Sequence, residues 1–139
     1  MRWSMAWVLV FLLLAAPFTV QADGGRAAPN CSTQTSETLP PTLDIDPNMC
    51  VVVDLGLLQS GDVYDFSIIV VEDAIDVLFF DENSIQPYEL GQSYRSGMAE
   101  PASTEAALGA LEFHWKVPPS ISAKRWYMVL DNSAHDGDG

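Results

Sequence analysis

The stretch Gly61 to Phe80, GDVYDFSIIVVEDAIDVLFF, decides the fold. Tyr64, Phe66, Ile68 and Val70 share one face at period two, and Ile75, Val77 and Phe79 do so further on. A period of two is the mark of a strand with one face buried. Glu72-Asp73-Ala74 separates the two runs. They read as two strands joined there by a turn, the central hairpin of a small antiparallel β domain. Ser60-Gly61-Asp62 before it and Asp81-Glu82-Asn83 after it are turn chemistry.

Upstream, Met1 to Trp7 carries one positive side chain, Arg2, and Val8 to Val20 is nearly all apolar. Val20-Gln21-Ala22 then presents small or modest side chains where a signal peptidase reads. Residues 1–22 are therefore expected to be a signal peptide cleaved after Ala22. The apolar run is short for a bilayer span, which needs about 20 residues, and Pro17 interrupts it. Cleavage leaves 117 of the 139 residues, enough for one modest core. The formal charge of −13 becomes −14 once Arg2 is removed. So acidic a surface repels phosphate backbones, which argues against nucleic-acid binding. The expected location is secreted or at the cell surface, with no transmembrane segment in the mature chain.

Residues 23–48 have the composition of a flexible linker, rich in Gly, Ala, Pro, Ser and Thr. Both cysteines, Cys31 and Cys50, lie in the exported part. Two thiols in an oxidising compartment most often pair, and a bridge would tie this arm to the first strand. The closed loop of roughly 20 residues corresponds to roughly 3 kcal/mol in the chain-entropy picture. Asn30-Cys31-Ser32 also fits the glycosylation acceptor pattern, a tripeptide common by chance.

Residues 49–139 form the domain. Met49 to Leu58 is its first strand, with Val51, Val53 and Leu55 on one face and Gly56 marking a bulge or a close approach. Ser84 to Ala107 is irregular: Pro87-Tyr88 and Gln92 to Arg95 read as a short strand or packed loop, and Gly97 to Ala107 as a long surface connection. Leu111, Phe113, Trp115 and Val117 alternate with Glu112, His114 and Lys116, until Pro118-Pro119 stops the strand. Trp126, Met128 and Leu130 line one face of the last strand, Arg125 to Asp131. At least five strands, no long helical period and several long connections predict an all-β, antiparallel, jelly-roll-like β-sandwich. Its expected core contains Phe66, Ile68, Val77, Phe79, Phe113, Trp115, Trp126 and Met128.

Ser60-Gly61-Asp62-Val63-Tyr64-Asp65-Phe66, followed by Ile75-Asp76-Val77-Leu78, resembles the strand pair of bacterial pre-peptidase C-terminal domains, exported β-sandwiches appended to secreted enzymes. A second resemblance runs from about Gly61 onward. Gln92 to Ser96, Trp115-Lys116-Val117-Pro118, Trp126-Tyr127, Asp131-Asn132 and His135 are similar to runs in uncharacterised exported proteins of planktonic archaea. These resemblances imply a fold and an address and assign no activity. The 139 residues contain no fused enzyme domain, a departure from the multidomain pattern.

Candidate chemistry is sparse. His114 sits on the polar face of a strand, and no Gly-x-Ser-x-Gly elbow occurs. Asp44, Asp46 and Asn48 have calcium-loop spacing, but Met49 replaces the needed glycine and Leu55 the closing carboxylate. Asp131, Asp136 and Asp138, with Asn132 and His135, are the candidates for a hard cation, against the simpler reading of an acidic tail. Trp115 and Trp126 read as core anchors. Tyr88, Tyr94 and Arg95, in the irregular segment, are the expected exposed contact surface, since flat rings stack on sugars and long loops carry binding sites. The sequence thus points to a non-catalytic module without a cofactor, binding an unknown protein or a glycan. The alternative is a small metal-dependent hydrolase or an accessory domain of a secreted enzyme.

Overall fold

The computed structural model describes residues 27–133. The expected signal peptide, residues 23–26 of the arm, and His135, Asp136 and Asp138 lie outside the described residues. The fold is all-β, with strands β1 Asn30–Thr35, β2 Met49–Leu58, β3 Val63–Asp81, β4 Thr104–Lys116 and β5 Lys124–Asp131. They form one five-stranded sheet in the order β1-β2-β5-β3-β4. The sheet is mixed where a purely antiparallel one was expected, because β1 runs parallel to β2. The arm read as a flexible linker therefore contributes an edge strand. Its pairing is pinned by the Cys31–Cys50 disulfide between directly opposed residues.

The central stretch is one strand, not a hairpin. Val63 to Val70 pairs with β4, and Asp76 to Asp81 pairs with β5. Between them Val70 faces Gly109 and Ile75 faces Ala107, so four residues of β3, 71–74, oppose the single Leu108. This wide bulge changes the parity of the inward side chains, as a turn would, and it bends the strand. Glu72 takes a positive φ of 70° within it. The bend is large. Phe66 and Phe79 stand 13 residues apart, which an undistorted strand would stretch to roughly 43 Å, yet their ring centroids are 5.0 Å apart. The sheet folds back on itself at this corner, so β4 and the first half of β3 cover the inner face of β2, β5 and the second half of β3.

Between these layers lies the main core, with Val53, Val77, Phe79, Trp115, Trp126 and Met128 buried and Phe66, Ile68 and Phe113 half-buried. Trp115 and Trp126 meet edge to face at 4.8 Å. The loop after β1 adds Leu39, Leu43 and Ile45 to this core. The opposite face of β2, β5 and the second half of β3 is also covered. There Val52, Leu78, Phe80 and Val129 pack against Ile85, Tyr88 and Tyr94. These come from the connection that contains the short helix α1, Gln86–Glu89, and a 3-10 turn at Arg95–Gly97. Burial on both faces explains the unbroken apolar runs Val51-Val52-Val53, Val77 to Phe80 and Met128-Val129-Leu130. The last four residues of the expected surface connection, 104–107, are strand: β4 begins at Thr104, seven residues before the alternation became regular in sequence.

Candidate functional site

Gly56 sits at a register shift between Asp54 and Gly56, where β2 bulges away from β5, and its φ of 82° suits a residue without a Cβ. The bulge aims Asp54 so that each carboxylate oxygen is held: Oδ1 accepts from the Gly56 amide at 2.8 Å and Oδ2 from Arg125 Nη1 at 2.6 Å. The end of β1 is anchored alongside, with the Ser36 amide donating to the Asp54 carbonyl at 3.0 Å. A tight turn follows, closed by Thr38 N to Thr35 O at 3.1 Å and by the two threonine hydroxyls at 2.9 Å. Together Thr35, Ser36, Glu37, Asp54, Leu55, Gly56 and Arg125 line a shallow cleft of about 260 Å³.

This cleft presents a guanidinium, two carboxylates, two hydroxyls and one apolar side chain. Arg125 and Asp54 both retain solvent exposure at their side chains, 41% and 23%. Tyr127, paired across the strands with Asp54, is half-buried beside them. Its phenol is pushed above the usual tyrosine range by burial and then by the negative charge of Asp54, against the opposing pull of Arg125. The cleft is one of donors and acceptors fixed by the sheet, suited to a small polar ligand.

The contact surface expected from sequence is not a surface. Tyr88 and Tyr94 are 0% and 1% exposed. Tyr88, Tyr94 and Phe80 form a ring cluster with centroids 5.3 to 5.8 Å apart. The physical reason is that the outer face of the central sheet is itself apolar, so the irregular segment is drawn down to cover it. Arg95 stays at the surface and forms a two-armed ion pair with Glu105 at 3.0 and 2.7 Å.

Asp131 lies inside. Its Oδ2 accepts from Tyr88 Oη at 2.5 Å, and its Oδ1 accepts from the Ser133 amide at 2.9 Å and from Ser133 Oγ at 2.5 Å. Asp131 is thereby committed to closing the second core at the end of β5, next to the disulfide, whose Cys31 Sγ is 3.9 Å from the same Tyr88 hydroxyl. Asp136 and Asp138, the other cation candidates, lie outside the described residues. Among the described residues no three His, Cys, Asp or Glu side chains group as a metal site. His114 is exposed and hydrogen-bonds to Asp65, its partner across β3 and β4. Among the described residues no helix is long and apolar enough to cross a membrane.

Of the cleft residues, the sequence singled out Gly56 as a bulge or close approach and placed Leu55 and Arg125 only as strand residues. Thr35, Ser36 and Glu37 sat in the supposed linker, and nothing local announces that a parallel strand brings them to Asp54. Comparison with protein-family models, with curated proteins and with solved structures found no match.

Proposed function

We propose that this protein is an exported, non-catalytic module that binds a neutral glycan in the cleft at the β2 bulge. The observation that carries the reading is the cleft itself: Arg125, Asp54, Glu37, Thr35 and Ser36 converge on one open concavity fixed by paired strands. A sugar offers hydroxyls that both donate and accept. Carboxylates accept from them, and a guanidinium donates to them. Asp54 and Arg125 are already locked together, so little order remains to be imposed on binding. A phosphorylated or sulfated ligand fits less well, because Glu37 and Asp54 outnumber the one cation. The disulfide and the resemblance to exported β-domains support an extracytoplasmic address.

The test uses protein purified from the growth medium, whose intact mass should begin at Asp23. Wild type and an Arg125→Gln/Glu37→Gln variant are compared on an array of neutral and anionic glycans. Wild type should retain a neutral glycan, with binding at least about tenfold weaker in the variant. Retention of no neutral glycan, or equal retention by both proteins, removes the glycan reading. Hydrolysis of the bound glycan replaces the binding module with an enzyme.

A further inference from the structure

The outer face of the β3–β4 pair is graded. At one end it is polar: Asp65 faces His114, and Ser67 faces Glu112. At the other end it is apolar. Ile69 faces Ala110, and Val71 and Leu108 come next along their strands at the bulge. Ile69 and Val71 are each 72% exposed and Leu108 is 62% exposed. Single exposed apolar residues are ordinary on protein surfaces. Four at adjoining positions of the two strands make a patch, set apart from the exposed Val63 at the far end of β3 by the polar pairs between them. The patch is not required by the core, since Ile68, Val70 and Leu111 of the same strands point inward to supply it.

The surroundings of the patch indicate what covers it. Glu72 and Asp73 are exposed on the bulge beside Val71, and Glu112 is exposed two positions along β4 from Ala110. No Lys or Arg lies in the apolar corner segments 69–74 or 108–112. We propose that this corner docks a cationic amphipathic peptide segment of a partner protein, its apolar side chains on Ile69, Val71 and Leu108 and its Lys or Arg side chains against Glu72, Asp73 and Glu112. Charge complementarity selects this occupant. A second copy would bring acidic rims together within a chain of net charge −13, and like charges across an interface are costly. An anionic lipid surface is repelled for the same reason.

The probes are a fluorescent peptide of alternating Lys and Leu and a control in which Ser replaces every Leu, each titrated at low and moderate salt. The purified full protein is compared with Ile69→Thr/Val71→Thr/Leu108→Thr, which keeps strand-compatible side chains, and with Glu72→Gln/Asp73→Asn. Wild type should bind the Leu peptide at least about tenfold more tightly than the Ser peptide. The triple threonine variant should lose that preference, and the Gln/Asn variant should show a weaker salt dependence for both peptides. Equal binding of the two peptides by wild type means charge attraction alone and overturns the proposal, as does an undiminished preference in the triple variant. Sedimentation showing a wild-type dimer that dissociates in the triple variant assigns the patch to a second copy and also overturns it. The Arg125→Gln/Glu37→Gln variant should bind the Leu peptide as wild type does, so the outcome is independent of the glycan reading.

Discussion

The fold-back of β3 makes a sharp energetic prediction. Phe66 and Phe79 lie on the same strand, yet their rings meet edge to face at 5.0 Å. Both also contact Phe113, at 5.3 and 5.8 Å, and Trp115, at 6.2 and 5.3 Å. Phe79 is fully buried, so Phe79→Leu removes ring carbons from a closed core and should cost about 1–2 kcal/mol in lost transfer energy and residual cavity. Phe66→Leu, at a half-buried site, should cost less. The informative quantity is the double variant. An edge-to-face pair contributes about 0.5–1.5 kcal/mol beyond buried area, and two shared ring neighbours add to the coupling. The double variant should therefore be less destabilised than the sum of the singles by about that amount. Urea unfolding followed by the emission of Trp115 and Trp126 measures all four proteins on one scale. If β3 ran straight, or continued into a distant hairpin, the residues would be independent and the costs would add to within roughly 0.3–0.5 kcal/mol. Additivity at that level would refute the folded-back sheet.

Two further outcomes follow from other contacts. Replacing Cys31 and Cys50 by Ala should lower stability by roughly 3 kcal/mol on the loop-closure estimate, and non-reducing peptide mapping of the wild type should recover the two cysteine peptides joined; alkylation of both thiols in the native protein would contradict the bridge. Burial pushes the carboxyl of Asp81 up, but the hydrogen bond and charge of Lys124, with the Asn83 amide and Ser84, outweigh it and leave it below the ordinary 3.8. A depressed folded-state pKa gives stability that is complete above the unfolded-state value and is lost as pH falls through the folded-state value. Lys124→Met should thus be less stable than wild type near neutrality, with the gap narrowing below about pH 4; a gap independent of pH down to pH 2 would show that the ion pair is not its source.

Much of the fold was legible because alternation records burial directly. Every residue expected in the core from its period of two is buried or half-buried in the main core. The turns at Ser60-Gly61-Asp62 and Asp81-Glu82-Asn83 fall between elements as read, and Gly56 marks a bulge. Two errors have one cause each. A parity change is the same signal for a turn and for a bulge, and only the partner strand tells them apart: here Leu108 alone stands opposite residues 71–74. The misplacement of Tyr88 and Tyr94 came from treating the sheet as having one wet face. The runs Val51 to Val53, Val77 to Phe80 and Met128 to Leu130 already argued against that, since a strand with solvent on one side has no reason to carry three or four apolar residues in succession. A sheet buried on both sides needs a second cover, and the Tyr-containing connection was the segment available. The cleft was less legible because it depends on β1, six polar residues whose pairing with β2 is parallel and is held by a disulfide rather than by an apolar pattern.

The same double burial constrains where function sits. Most large rings of the described residues are spent on the two cores: Phe66, Phe79, Phe113, Trp115 and Trp126 on one side, and Phe80, Tyr88 and Tyr94 on the other. The surface carries a polar cleft at one end of the central strands and an apolar, acid-rimmed corner near the other. Arg125 marks the cleft on β5. Asp131, six residues along, pairs with Asp76 just past the corner, so the two surfaces are about 20 Å apart along the strand. That exceeds the range over which substitutions usually interact. If both proposals hold, a glycan in the cleft and a peptide on the corner would be held at once, each by groups that the other leaves untouched. The twice-buried sheet would then act as a spacer between them, and substitutions within either surface should change one affinity while leaving the other as it was.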